Sequence, residues 1–235
     1  MAKSVSKIQC FEQCKNKYKL TYLDKVPLEQ QPHLNKGKAI HAMLEDFTNT
    51  EIVFNFLKSD LGQKYYNIIK NANKEVKIGL KIANNQLTSC DFFDSNCLFH
   101  GVADIVYQNI ICDYKTGKAK QYHYQDWTQL EAYALWMFIN TDFDEIKVSY
   151  LYIEHNTENT KTISRSQVNA IAKKLLLTIR DIKQYDSNPV QEYNLTALCD
   201  YCQCNKYCQR YQDITKALQQ ADHHEDGSLS DLLNL

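Results

Sequence analysis

Two aspartates and a lysine near the middle of the chain have the types and spacing of a metal-dependent hydrolytic site. Residues 100–117 contain two apolar runs separated by Gln108-Asn109, a dipeptide that suits a two-residue hairpin turn. Such a turn would place Asp104 directly opposite Asp113. Lys115 follows Asp113 by two residues, so the two side chains should project from the same face of their strand.

Two carboxylates that face each other across a hairpin repel, because their Cβ atoms lie roughly 4.5–5.5 Å apart. The pairing becomes favourable when a divalent cation lies between them, since Mg²⁺ and Mn²⁺ bind carboxylate oxygens, water and phosphate. The ammonium of Lys115 could then hold a phosphate oxygen or orient an attacking water. A solvated sheet face is the alternative interpretation. The apolar neighbours of both aspartates and the poor strand propensity of Asp favour the metal site.

Four of the nine cysteines fall within ten residues, at Cys199, Cys202, Cys204 and Cys208. In a reducing compartment such a cluster more often binds metal than forms disulfides. The spacing leaves two kinds of site open. Zinc prefers two close pairs, which Cys10 with Cys14 and Cys199 with Cys202 would supply. An iron–sulfur cluster also takes four thiolates, often with one from a remote part of the chain.

Hydrophobic periodicity indicates the elements that must position these groups. The sequence predicts helices over 4–24, 36–57, 63–73, 127–140 and 166–185, and strands over 75–82, 86–93, 99–107, 110–115 and 145–154. Helices, then mostly antiparallel strands, then a helix and a crossover strand predict an α/β domain. Its central mixed sheet should be flanked by helices.

Composition limits the classes of function that the chain can have. The 235 residues include 27 basic and 28 acidic side chains, so a nucleic-acid partner would need a local site instead of a global basic field. The lack of an apolar leader and of a run of about 18 apolar residues predicts a soluble cytoplasmic protein without a membrane partner. No phosphate-binding loop of ATP-driven helicases occurs in the sequence, so a chain that acts on DNA would act alone or receive unwound DNA from another protein, such as a helicase or recombination partner.

Lysines and aromatic residues alternate after the proposed hairpin, at Lys118, Lys120, Tyr124 and Trp127. Rings that can stack on bases beside cations are typical of proteins that bind single-stranded DNA. A solvated connection that leads into a helix is the alternative interpretation of the same segment.

The residues around the two aspartates resemble the PD-(D/E)XK nuclease superfamily, in its RecB-like branch. The matching segments follow the family's order: Ser4 to Tyr18, Lys36 to His41, Gly101 to Asp104, Asp113 to Gly117, Gln129 to Tyr133, and Cys199-x2-Cys202-x5-Cys208. The cysteine triplet is similar to that of members with an iron–sulfur cluster, among them CRISPR-associated RecB-like exonucleases and the AddB nuclease domain. The resemblance implies a restriction-endonuclease-like core.

The resemblance also implies a role for each matching residue. The metal ligands for Mn²⁺ or Mg²⁺ would be His41, Asp104, Asp113 and the carbonyl oxygen of Tyr114. The catalytic set would be Asp104, Asp113, Lys115, Gln129 and Tyr133, in which Gln129 and Tyr133 contact DNA or hold the lysine in place. A 4Fe–4S cluster would be bound by Cys14, Cys199, Cys202 and Cys208, and either Cys10 or Cys204 could replace one of them.

The implied organisation is one nuclease domain over residues 1–211, whose amino- and carboxy-terminal segments are joined by the metal cluster. Residues 212–235 would form an acidic tail that need not be ordered. The implied activity is a metal-dependent DNA nuclease, most simply an exonuclease on single-stranded ends in recombination, replication or repair. Two alternatives stay open: a catalytically silent DNA-binding module with the nuclease fold, and a structure-specific endonuclease with zinc in place of iron and sulfur.

Overall fold

The computed structural model of the chain describes residues 2–28, 42, 44 and 51–221. The chain divides into two compact units, Met1–Val5 with Gln31–Ile179 and Ser6–Gln30 with Arg180–Leu235. The paired aspartates fall in the first unit and the clustered cysteines in the second. Among the described residues, no helix has the length and apolar character needed to cross a bilayer.

The helices are α1 (Val5–Gln13), α2 (Lys15–Tyr18), α3 (Glu51–Lys58), α4 (Asp60–Asn71), α5 (Thr128–Asn140), α6 (Val168–Ser187) and α7 (Gln209–Ala221). A π-helical turn covers Lys19–Leu23, and short 3-10 turns cover Tyr122–Tyr124, Ile153–His155, Arg165–Gln167, Ala197–Tyr201 and Asn205–Tyr207. The strands are β1 (Lys3–Ser4), β2 (Asn73–Ala83), β3 (Gln86–Ser89), β4 (Phe99–Tyr107), β5 (Ile110–Lys115), β6 (Glu145–Tyr152) and β7 (Thr157–Ser164).

The strands of the described part form one mixed sheet in the order β3-β2-β4-β5-β6-β7, with β1 pairing parallel to β4. Strands β2 to β5 pair antiparallel, and β6 returns parallel to β5 after α5. This arrangement confirms the predicted mixed sheet and its crossover strand. Strand β7, which the sequence analysis missed, adds an antiparallel edge beside β6.

Helices cover both faces of the sheet, as consecutive residues of β5 show. Cys112 and Tyr114 are buried in an apolar cluster that includes Tyr65 of α4. Asp113 lies between them in sequence and accepts a hydrogen bond from Gln129 of α5. Because successive side chains of a strand point to opposite faces, α4 and α5 lie on opposite sides of the sheet. The hairpin is therefore central and buried, not an exposed edge.

The predicted continuous helix over residues 4–24 was wrong. α1 ends at Gln13, and Cys14 has an extended backbone with φ −163° and ψ 116°. The Sγ atom of Cys14 accepts the backbone N–H of Lys17 at 3.4 Å and thereby caps α2. Hydrophobic periodicity carries no signal for a thiol that acts as a helix cap, so the break could not be read from spacing.

Two further predicted segments meet the limits of the described residues. The helix predicted over 36–57 lies mostly outside them, and its described end coincides with α3. The predicted acidic tail begins inside α7, so residues 212–221 are helical. Residues 222–235 lie outside the described part of the chain.

Glu158 of β7 links the edge of the sheet to α4. Its carboxylate accepts the Tyr65 hydroxyl at 2.5 Å and the Thr160 hydroxyl at 2.8 Å, and it pairs with Lys64. Tyr65 is fully buried, so its hydroxyl needs a partner inside the protein. Burial alone raises the pKa of Glu158, but the three donors outweigh burial and hold that pKa below its ordinary value of 4.5.

Substitution of Glu158 by Gln should lower the free energy of unfolding by on the order of 1–2 kcal/mol near neutral pH, because hydrogen bonds to a charged acceptor are the stronger ones. Since the folded-state pKa of Glu158 is depressed, its contribution is present above pH 4.5 and is lost as the pH falls through the folded-state pKa. Urea unfolding of both proteins at a series of pH values measures the difference, which should vanish on the acid side.

The matched control for this experiment is Glu145→Gln, since Glu145 is an exposed glutamate at the start of β6. The free energy of unfolding of that variant should stay within about 0.5 kcal/mol of the parent's at every pH. A Glu158→Gln deficit that does not vary with pH would contradict the account.

Candidate active site

The hairpin of β4 and β5 carries both aspartates in the predicted register. The ladder runs from the Gln108-Asn109 turn down to the pair Ile105 and Cys112. Asp104 and Asp113 occupy the next position on each strand and are only 8% and 3% exposed. Gln108 has a left-handed backbone with φ 49°, which a tight two-residue turn requires. The prediction of this turn is confirmed.

Short hydrogen bonds hold both carboxylates. Asp104 Oδ2 accepts the backbone N–H of Tyr114 at 2.6 Å. Asp113 Oδ2 lies 2.6 Å from Lys115 Nζ, and Asp113 Oδ1 accepts the side-chain amide of Gln129 at 2.6 Å. Charge-assisted bonds of this kind are about twice as strong as neutral ones, so they fix the direction of each carboxylate.

Lys115 is the cation of this site and is held from three directions. Besides its ion pair with Asp113, its Nζ donates to Gln129 Oε1 at 3.1 Å and lies 5.0 Å from the ring centroid of Tyr150. The surrounding protein lowers the pKa of Lys115, but the charges of Asp113 and Asp104 outweigh that effect and raise the pKa above its ordinary value of 10.5. Lys115 is therefore an ammonium at neutral pH. Its side chain keeps 37% of its surface exposed, so a ligand can reach it.

Gln129 and Tyr133 lie one turn apart on α5, which begins where Asp126 Oδ1 accepts the N–H of Thr128 at 2.9 Å. The Tyr133 hydroxyl donates to the carbonyl oxygen of Val102 at 2.7 Å and accepts from Gln129 Nε2 at 3.3 Å. The sequence analysis left DNA contact and positioning open for both residues. Tyr133 is 2% exposed and its hydroxyl bonds to protein groups, which favours positioning.

A close approach at Gly101 lets Tyr133 reach β4. A Cβ atom on residue 101 would lie 2.6 Å from Cε1 of Tyr133 and 2.9 Å from its hydroxyl oxygen. Ile105, four residues on, instead packs in the apolar cluster on the opposite face, so the alternation of β4 breaks between the two. At the same level the β2–β4 ladder omits Glu75, whose φ is 50°, and the opposed Asp104, and it keeps the same register on either side. The irregularity therefore coincides with Asp104.

The donors at the hairpin suit a hard divalent cation. The carboxylates of Asp104 and Asp113 and the carbonyl oxygen of Tyr114 are the oxygen ligands that Mg²⁺ and Mn²⁺ take. The predicted fourth ligand, His41, lies outside the described residues. In the part of the chain that is described, no set of three or more His, Cys, Asp and Glu side chains is arranged to hold a metal ion. The described donors thus fit such a cation in kind and would supply part of its shell.

The residues predicted to bind nucleic acid lie on the connection between β5 and α5. Lys118 and Lys120 are exposed, and Tyr124 keeps 71% of its surface exposed. Trp127 is half-buried, with its ring 5.4 Å from that of Tyr122 and 5.6 Å from that of Tyr150. Trp127 therefore packs at the base of this loop, whereas the lysines and Tyr124 face solvent.

Two residues near the site were missed by the sequence analysis. Tyr150 of β6 pairs with Asp113 in the sheet, and its ring lies under the Lys115 ammonium. Asn159 of β7 pairs with Tyr150 on the other side. The aromatic residues at alternate positions of β6 could have indicated Tyr150. Nothing pointed to Asn159, because the strand that carries it was not recognised.

The second unit brings cysteines together from its two segments. Burial raises the pKa of Cys208, and the nearby thiols of Cys14, Cys199 and Cys202 raise it further. Asn16 Nδ2 donates to Cys208 Sγ at 3.5 Å. The four predicted cluster ligands therefore lie in the same region of the second unit, but among the described residues no three of them are arranged to hold a metal ion.

The two remaining cysteines of this set lie close by. A hydrogen bond with Cys204 lowers the pKa of Cys202 to about 6. Cys204 is 1% exposed and its Sγ lies 3.3 Å from the Thr21 hydroxyl. Cys10 is also buried, and burial raises its pKa to about 11; Lys17 lowers that pKa, and the thiols of Cys14 and Cys202 raise it. Six thiols thus lie in one region of the second unit.

Comparisons with known proteins connect this geometry to a family. The sequence model of the PD-(D/E)XK nuclease superfamily matches residues 2–76 and 70–209. An Eubacterium rectale protein described as a "Putative exonuclease" is similar in structure, with a TM-score of 0.52 and 13% identity over 98% of this chain and 92% of that one. The structure of SSO0001 gives a TM-score of 0.44 and 15% identity over 88% and 86% of the two chains. No curated protein matches the sequence significantly.

Substitution of Gly101 by Ala should reduce the free energy of unfolding by about 1–3 kcal/mol, because the new methyl group overpacks the contact with Tyr133. The change also pushes Tyr133 away from Val102, which disturbs the support of Gln129. Gly117→Ala is the matched control, since a Cβ atom there meets nothing within 4 Å. In urea unfolding, the free energy of unfolding of that control should lie within about 1 kcal/mol of the parent's. Equal effects of the two substitutions would refute the close approach.

Proposed function

The chain belongs to the PD-(D/E)XK nuclease superfamily, and we propose that it is a metal-dependent deoxyribonuclease that acts as an exonuclease on single-stranded DNA ends. One observation carries this proposal above the others. The buried carboxylate of Asp113 lies 2.6 Å from the Lys115 ammonium, with the second buried carboxylate of Asp104 on the neighbouring strand. An inactive binding module would have no need to maintain a buried acid pair with an adjacent cation.

The proposed site would bind Mn²⁺ or Mg²⁺ through Asp104, Asp113, the carbonyl oxygen of Tyr114 and His41. When bound, the cation supplies an activated water and positive charge against the phosphodiester. Lys115 donates a hydrogen bond to a non-bridging phosphate oxygen, where negative charge increases during hydrolysis. Gln129 keeps Lys115 and Asp113 in their relative positions, and Tyr133 fixes Gln129 to β4.

The loop between β5 and α5 supports single-stranded DNA as the substrate. Exposed lysines at Lys118 and Lys120 can contact phosphates, and Tyr124 offers a face on which an unpaired base can stack. Trp127 contributes by supporting the loop from below, and Gln129 connects the loop's end to the site. A helicase or recombination protein would supply the unwound strand.

We also propose that the second unit binds a 4Fe–4S cluster through Cys14, Cys199, Cys202 and Cys208. The proposal is supported by the thiols of Cys14, Cys199 and Cys202, which come from both segments of the second unit and raise the pKa of Cys208. The cluster would cross-link segments about 185 residues apart and so reduce the entropy of the unfolded chain. Its proposed role is therefore structural.

Asp113→Asn and Lys115→Ala should each lower kcat at least about a hundredfold on an end-labelled linear single strand with Mn²⁺, because the first weakens the proposed metal site and the second removes the ammonium that contacts the phosphate. Asp142→Asn, at an exposed acid outside the site, should leave kcat unchanged. Chelation of the metal should abolish turnover, and a circular single strand should resist digestion. Full activity of either site variant would refute the assignment. Binding without turnover by the parent would favour the silent DNA-binding module.

Cys199→Ala or Cys202→Ala should remove the brown colour and the bound iron of anaerobically purified protein, and should lower the thermal stability of the second unit. Cys90→Ala is the control, because Cys90 belongs to the first unit and should leave the iron content unchanged. Iron and zinc analysis together with the visible spectrum measures the outcome. If the parent protein is colourless and contains zinc, the site binds zinc and the iron–sulfur proposal is refuted.

A further inference from the structure

One buried side chain anchors the loop between β5 and α5 at two points. Asn159 of β7 is 9% exposed, and its Nδ2 donates to the backbone carbonyl of Lys120 at 2.9 Å and to Gln125 Oε1 at 3.0 Å. The hydroxyl of Tyr152 donates to the same Gln125 oxygen at 2.7 Å. Buried polar groups are normally paired, and here the partners belong to a surface loop 34 and 39 residues away. The loop is therefore fixed to the sheet by specific bonds.

The anchor lies in the same row of the sheet as the proposed catalytic acid. Asp113 of β5 pairs with Tyr150 of β6, and Tyr150 pairs with Asn159 of β7. Neighbouring strands are about 4.8 Å apart, so the backbone of Asn159 lies roughly 10 Å from that of Asp113. The anchored loop consequently starts within a few nucleotides' reach of the proposed catalytic centre.

The loop presents aromatic and basic side chains outward from this anchor. Tyr122 and Tyr124 are 55% and 71% exposed, and the rings of His123 and Tyr124 lie 4.0 Å apart. The ring of Tyr122 packs on Trp127, which in turn lies on Tyr150. An exposed tyrosine on a fixed backbone loses less conformational freedom when a base stacks on it than one on a free loop.

We propose that Asn159 is a positioning residue that sets the affinity for single-stranded DNA by holding residues 116–127 so that Tyr124 stacks on an unpaired base. The inference rests on the proposed function for its substrate class. Stacking on a single ring needs a base that is not paired in a duplex, which selects single strands. Lys118 and Lys120 are held by the same anchor and lie beside the stacked base to contact the phosphates.

The test measures binding of a fluorescent oligothymidylate of about 20 nucleotides by anisotropy, with a chelator present so that no strand is cut. Asn159→Ala and Tyr124→Ala should each raise Kd about tenfold. Because Asn159 acts through the loop, the double variant should raise Kd far less than about a hundredfold. Thr162 is at an exposed position of the same strand, and the Kd of Thr162→Ala should stay within about twofold of the parent's Kd.

Turnover separates this inference from the proposed function. Asn159→Ala should raise KM for the long single strand about as much as it raises Kd, with kcat changed by less than about twofold. Hydrolysis of bis(p-nitrophenyl) phosphate, which is too small to reach the loop, should be unchanged. A parent that binds the strand without cutting it refutes the nuclease function, while the Kd measurements still decide the role of Asn159.

The inference is overturned if the parent does not bind the strand, if Asn159→Ala leaves Kd within about twofold, or if the effects of the two substitutions multiply. Should Asn159→Ala fail to fold, Tyr152→Phe carries the same test. That variant keeps the ring and removes one hydrogen bond to Gln125, so Kd should rise about threefold. An unchanged Kd in that variant then overturns the inference.

Discussion

The ion pair between Asp113 and Lys115 is the interaction on which the site depends. Asp113 and Lys115 are two positions apart on β5, so their side chains project from the same face of the strand. The 2.6 Å contact between Lys115 Nζ and Asp113 Oδ2 follows from this geometry. The pair keeps the lysine charged in a partly buried place, and the lysine in turn partly neutralises two buried acids. Gln129 bonds to both members, and Tyr133 ties Gln129 to β4. Removal of either charged partner would leave the other in the protein interior without its counterpart.

The part of the fold that positions this pair was predictable because it follows local rules. Gln108-Asn109 between apolar runs indicated the hairpin, and the period of two placed both acids on one level. The crossover strand β6 was recognisable from its β-branched and aromatic residues. By contrast, β7 has a polar sequence of threonine, glutamate, asparagine and lysine and lacks the alternation that marks a half-buried strand. Its side chains are satisfied by partners far along the chain, which no local pattern reveals.

Other site features depended on contacts that sequence spacing does not encode. The break at Cys14 arises because a thiol caps the next helix, and the irregularity at Asp104 arises from a ladder that skips Glu75. The ring of Tyr150 under Lys115 follows from the parallel pairing of β5 with β6, which becomes fixed only when the crossover is in place. Spacing predicted the hairpin and the resemblance pointed to Gln129 and Tyr133, whereas the contributions of Tyr150 and Asn159 became visible only in the tertiary packing.

Two adjacent residues of β7 form hydrogen bonds on opposite faces of the sheet. Glu158 turns toward α4 and satisfies the buried Tyr65 hydroxyl, while Asn159 turns the other way and holds the loop. A slip of one residue in the pairing of β6 with β7 would exchange the two faces. The turn between β6 and β7 consists of Ile153–His155 and Asn156, whose φ is 50°. Gain or loss of one amino acid there would therefore remove the hydrogen-bond acceptor from α4 and the anchor from the surface loop at the same time. The number of residues in this turn is consequently more tightly constrained than the identity of each residue.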